Sequence, residues 1–139
     1  MPTLPPMGDA RHADLRDGVR ALCAQFPPEY HRRIDAERGY PEAFVDALTP
    51  AGWLAALIPP EYGGAGLGLA EASVILEEIN RSGGNAGACH GQMYNMGTLL
   101  RHGSAAQKRR WLPAIARGEL RLQSMAVTEP GTGLRIGRA

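Results

Sequence analysis

The 139-residue chain has almost no excess of charge: 15 lysines and arginines stand against 14 aspartates and glutamates, a formal net charge of +1. That balance argues against a nucleic-acid or acidic-surface partner, and the arginines are spread along the chain rather than clustered. The one cationic run, Lys108-Arg109-Arg110, reads as a solvated helix face. Cysteine is equally scarce. Cys23 and Cys89 both fall inside apolar helical patterns, and no CxxC or Cys/His ligand spacing is present, which argues against a zinc or other metal site and for two buried, reduced thiols. No stretch approaches the roughly 18 apolar residues of a membrane span. The opening MPTLPPMGDARHADLRDG has no apolar signal-peptide core. A soluble, cytoplasmic protein with no membrane or nucleic-acid partner is therefore expected. No internal repeat or low-complexity tract is visible.

Proline and glycine are plentiful, 11 and 18 residues, and they punctuate the chain. Pro2, Pro5 and Pro6 mark residues 1–8 as a loose leader. Asp9 or Asp14 can start the first helix, whose stripe Leu15, Val19, Leu22 and Phe26 recurs at helical spacing until Pro27-Pro28 ends it. Residues 29–39 are polar and read as a turn or short helical link. Pro41 suits the first position of the next helix, with Phe44, Val45 and Leu48 inward, and Gly52 can close it. Residues 53–58 are apolar and stop at Pro59-Pro60.

Glycines 63, 64, 66 and 68 form a tight connection predicted to pack under the following helix. Position 69 is leucine and no strand precedes the loop, so the dinucleotide-binding fingerprint is not met. The helix predicted over 69–81 turns Leu69, Ala72, Leu76 and Ile79 inward and leaves Glu71, Glu77, Glu78 and Arg81 outside or on its margins. Neighbouring Glu77 and Glu78 point about 100° apart on a helix, which does not make an acid/base pair. A helix over 86–101 follows, with Cys89, Met93, Met96 and Leu100 at core spacing. Ser104 and Gln107 have the pattern of a capping box for the last helix. Trp111, Leu112 and Ile115 bury that helix, Pro113 kinks or restarts it, and Gly118 closes it. From Leu120 the alternation of side chains predicts a strand, which turns through Thr128-Glu129-Pro130 into Gly131-Thr132-Gly133. That loop offers hydroxyls and free backbone N–H groups suited to a flavin edge or a phosphate. The expected fold is all-α: an up-and-down helical domain of about five helices over residues 9–119, ending in one β-strand that begins a further β-domain over 120–139.

Three segments carry a resemblance. PPEYGGAGLGLAEASVILEEINRS, LLRHGSAAQKRRWLPAIARGELRLQ and AVTEPGTG resemble, in order and spacing, the N-terminal half of the acyl-CoA dehydrogenase family, over roughly residues 9–133. The resemblance implies the N-terminal portion of an FAD-dependent enzyme that dehydrogenates an acyl-CoA thioester between its α- and β-carbons. A carboxylate base removes the α-proton and hydride passes to FAD. In the family that base comes from a C-terminal helical domain, so no residue here is assigned as catalytic, and Glu77, Glu78 and Glu129 are not promoted to the role. By resemblance Thr128 contacts the flavin, Met125 and Val127 lie beside its ring, and Gly133 belongs to the same cofactor loop. A serine usual in the family is replaced by Leu134, which cannot hydrogen-bond through its side chain, and after Gly133 the sequence departs from the family pattern. His90, Met93, Tyr94 and Gly97 are the implied acyl-pocket residues. The implied partners are an acyl-CoA substrate, an electron-transfer flavoprotein or similar acceptor, and further copies of the subunit in a dimer or tetramer. The chain alone is expected to be incomplete as an enzyme. The competing reading is a non-catalytic helical binding or interaction module.

Overall fold

The computed structural model describes residues 12–125. Among them the fold is helical: α1 (Ala13–Cys23), α2 (Pro28–Ala36), α3 (Glu42–Leu48), α4 (Leu69–Arg81), α5 (Gly87–His102) and α6 (Ala105–Ala116), with single 3₁₀ turns at Trp53–Ala55 and Pro60–Tyr62. Six α-helices thus stand where about five were expected. The additional one is α2. It has Pro28 in its first turn and buries no residue fully, so it lacks the apolar stripe by which a helix is recognised in sequence. It is held instead by rings. Phe26 meets Tyr30 edge-on at 5.2 Å and Phe44 at 5.3 Å, while His31 meets Phe44 at 5.1 Å. His31 is therefore half-buried rather than a surface residue, and burial pushes its pKa below the usual histidine value.

The other helices bury most of the predicted stripe positions, while α4 buries Ile75, outside its predicted stripe, and leaves Leu76 half-buried. Val19, Leu22, Phe44, Val45, Leu48, Ile75, Ile79, Cys89, Met93, Met96, Leu112 and Ile115 share one core. Local signals set the helix ends. Gly52 adopts φ +80°, a left-handed turn beyond α3. The Ser104 hydroxyl accepts from the Gln107 N–H at 3.2 Å, and the Gln107 side chain accepts from the Ser104 N–H at 2.8 Å, the reciprocal cap predicted for α6. Pro113 lies inside α6 without ending it.

The glycine loop packs backwards, not under α4. Gly66 N–H donates to the Ile58 carbonyl at 2.8 Å and Leu67 N–H to that of Ala56 at 2.7 Å. A Cβ on Gly64 would sit 2.1 Å from the Ile58 carbonyl oxygen, so only glycine fits there.

Two inward assignments and one outward one are corrected. Leu69, expected in the core, is 74% exposed, because it occupies the first position of α4, where the chain enters from the loop. Trp111 is 38% exposed and packs its ring under the Arg110 guanidinium at 4.4 Å. Glu78, expected outside, is 1% exposed. It faces α1, the main partner of α4, where Arg16 donates to its carboxylate and Arg20 Nε donates at 2.8 Å. Arg16 also donates to Glu77 at 2.8 Å. Two arginines from α1 thus make it favourable to bury a carboxylate on α4.

The predicted strand is not formed among the described residues. Residues 121–125 have no regular structure, and positions 126–127 lie outside the described range.

Candidate functional site

Helix α5 carries the residues implied for substrate. His90, Tyr94 and Gly97 follow at i, i+4 and i+7, which places them on one face. His90 and Tyr94 are exposed, and their rings meet edge-on at 5.2 Å. A Cβ on Gly97 would meet no atom within 4 Å, so the face opens into space there. Met93 departs from the group: it is 5% exposed and belongs to the core. The helix therefore brings three of the four candidates to one accessible face and turns the fourth inward.

Of the cofactor candidates, Met125 is described and is 39% exposed. Val127, Thr128 and Gly133 lie outside the described residues. The chain reaches Met125 along a fixed course. After α6, Gly118 turns it at φ +73°. Leu120 and Leu122 then pack against the core. Arg121 donates to the Asp46 carboxylate on α3 and pairs with Glu42, one turn away, at 3.6 Å. Next the backbone crosses α5. The Gln123 carbonyl oxygen would lie 3.0 Å from a Cβ on Gly91, and the Gln123 amide reaches the Ala88 carbonyl at 3.5 Å. Gly91, which sequence reading passed over, thus lies under the crossing and next to His90. Its only sequence signal was a glycine inside an otherwise helical pattern.

Two open grooves flank this region. One, of about 610 Å³, lies between α2 and the start of α5 and is lined in part by His31, Tyr40, Ala88 and Gln123. The other, of about 690 Å³, is lined in part by Asp46, Thr49, Gly64, Arg117 and Arg121. Neither includes His90, Met93, Tyr94 or Gly97.

Other ionisable groups have structural partners. Glu77 and Glu78 are held by the guanidinium groups of α1. Burial alone would push the Glu78 carboxyl up. Hydrogen bonds from Arg20 and Arg16 outweigh it and hold the group below the ordinary carboxylate value. Cys23 and Cys89 are free and buried, and burial pushes the Cys89 thiol up to about 12, which keeps it a neutral thiol near pH 7. No group of three or more metal-binding side chains occurs among the described residues. No described helix is long and apolar enough to cross a membrane.

The family described as acyl-CoA dehydrogenase, N-terminal domain, matches residues 9–119. The chain belongs to the acyl-CoA dehydrogenase family. It is 34% identical over 131 residues to the short-chain specific acyl-CoA dehydrogenase, mitochondrial, of Mus musculus, covering 92% of this chain and 31% of that protein. It is 38% identical over 141 residues to the isovaleryl-CoA dehydrogenase, mitochondrial, of Pongo abelii, covering 94% and 33%. The chain thus spans about a third of the length of these curated relatives. Among solved structures, a chain of the electron transferring flavoprotein of Acidaminococcus fermentans matches with a TM-score of 0.70 at 20% identity, covering 92% of this chain and 34% of that one. At that identity the likeness supports the fold alone. The all-α helical domain expected from sequence is the architecture found.

Proposed function

We propose that this acyl-CoA dehydrogenase family chain supplies the N-terminal helical domain of an FAD-dependent enzyme that oxidises an acyl-CoA thioester to its α,β-unsaturated product. The observation that carries the reading is the course of residues 120–125. It carries Gln123, five positions before Thr128 in sequence, over the first turns of α5 at Ala88 and Gly91, the latter adjacent in sequence to His90.

The described groups suit such a site. An exposed aromatic pair, an exposed thioether and open space at Gly97 fit an acyl chain or the edge of a flat ring. Thr128 and the backbone amides of its loop would donate hydrogen bonds to the flavin, with Val127 and Gly133 in the same loop. FAD, when bound, supplies the hydride acceptor. The domain's own contribution is to wall the acyl chain and to orient the cofactor loop, and no residue of this chain is proposed as the base. Residues 9–119 act as the helical domain and 120–139 as the start of the β-domain. Acyl-CoA, an electron-transferring flavoprotein as acceptor and further copies of the subunit are the proposed partners. The buried, reduced thiols fit a cytoplasmic setting.

The test is a flavin absorption scan of the purified 139-residue chain on a sizing column, with and without added FAD. The proposal expects weak or no retention of flavin and no acyl-CoA oxidation by the chain alone. Stoichiometric flavin on an isolated monomer would contradict the expectation that this chain holds only part of the flavin site. Tight acyl-CoA binding with no flavin dependence would favour the non-catalytic binding module.

A further inference from the structure

Residues 120–125 follow a defined course without β-pairing; the Leu120 N–H donates to the Ala114 carbonyl at 3.2 Å, and other contacts must hold the residues beyond it. Two features do so. Arg121 reaches two carboxylates, Glu42 and Asp46, spaced one turn apart on α3, and its side chain is only 23% exposed. Gly91 lacks the side chain that would meet the Gln123 carbonyl at 3.0 Å, a distance tight enough that the backbone would have to move. Gly97, six residues along the same helix, faces open space, so a glycine is needed at the first position and not at the second. Leu120 and Leu122 pack on the core on either side of Arg121.

We propose that Gly91 and the Arg121–Asp46 pair are positioning residues, which together latch the segment leaving the helical domain across α5 and so set where the cofactor loop begins relative to the His90–Tyr94 face. The consequence for flavin rests on the function proposed above; the latch itself does not. Filling position 91 lifts the crossing, and removing the guanidinium frees its α3 end. Neither change removes a core side chain.

The experiment is amide hydrogen exchange, read by mass spectrometry on peptides spanning 117–125 of the full chain, with a thermal melt and an FAD titration recorded for each protein. The latch expects protection in the parent chain of the Glu119 and Leu120 amides, which donate to the Ala114 carbonyl at 3.0 and 3.2 Å and lead into the crossing. It expects roughly tenfold faster exchange there in Gly91→Leu and Arg121→Gln, since local opening can change apart from global stability. Gly97→Leu should stay within about twofold of the parent, and Arg121→Lys should recover part of the loss because it keeps the charge. The melt of Gly91→Leu should not fall in step, because leucine is the better helix former. An unprotected segment in the parent chain, or exchange unchanged in both Gly91→Leu and Arg121→Gln, overturns the proposal. If Gly91→Leu does not fold, Arg121→Gln decides it alone, being a change of a partly exposed side chain outside the core. Little or no FAD uptake by the parent chain is the outcome the proposed function already expects, and the exchange data decide the latch independently of it.

Discussion

The seam between α1 and α4 and the crossing of residues 120–125 over α5 are both contacts between distant parts of the chain, yet they are held in opposite ways. The seam buries Val19, Leu22, Ile75 and Ile79 and then adds charge, with Glu78 taken out of water between Arg16 and Arg20. The crossing is a surface arrangement held by one arginine, two half-buried leucines and the missing side chain of Gly91. A buried ion pair is costly to break because the remaining charges stay desolvated. A surface latch is cheap to open, which would suit the segment in the function proposed above, where it meets further domains. Stability and positioning are thus kept in different regions of one small domain.

Breaking the seam should have the largest effect. Glu78→Ala is expected to lower unfolding stability by about 3 kcal/mol in denaturant titration, the range for disrupting a buried pair. The same group gives a pH signature. Its carboxyl is held below its ordinary value of 4.5, so its stabilisation is complete above that value and is lost as pH falls through the depressed one. Thermal melts across acid pH should show this loss, and Glu78→Gln should flatten it. A Glu78→Ala protein as stable as its parent would mean that the seam is apolar in effect and the contrast between the regions is false.

Smaller effects sharpen the contrast. Ser104→Ala removes the hydroxyl half of the α6 cap and should cost about 1 kcal/mol. Arg121→Gln breaks a partly exposed pair and should cost less than about 1 kcal/mol globally, although it frees the crossing locally. A global loss as large as that of Glu78→Ala would erase the distinction. Leu69→Ala should fall within about 0.5 kcal/mol, as expected of an exposed side chain outside the core.

What the sequence disclosed divides along the same line. Local signals were legible: the Ser104–Gln107 cap, the Phe44-Val45-Leu48 stripe and the left-handed Gly52 each depend on residues a few positions apart. Glu78 was not, because its partners Arg16 and Arg20 lie 62 and 58 residues away and nothing in the α4 periodicity marks a carboxylate as buried. Helix α2 reads in sequence only as a turn or short helical link, because rings from three separate segments hold it in place of a stripe. At the candidate site, the helical spacing put His90, Tyr94 and Gly97 on one face, while the core spacing already allowed Met93 to point inward, as it does. Gly91 carried no legible role because its constraint is a backbone oxygen 32 positions later in the chain, at Gln123.

The most direct test of the account is a domain replacement. Residues 9–125 of this chain would be joined to the remaining domains of a related acyl-CoA dehydrogenase, in place of that enzyme's own N-terminal helical domain, and the purified protein followed by its flavin absorbance as acyl-CoA is added. The account predicts a yellow protein whose flavin is bleached by acyl-CoA, with the bleaching weakened by Gly91→Leu. A folded chimera that holds FAD but is never reduced by any acyl-CoA its parent enzyme accepts would contradict the assignment of this chain as the helical domain of such an enzyme.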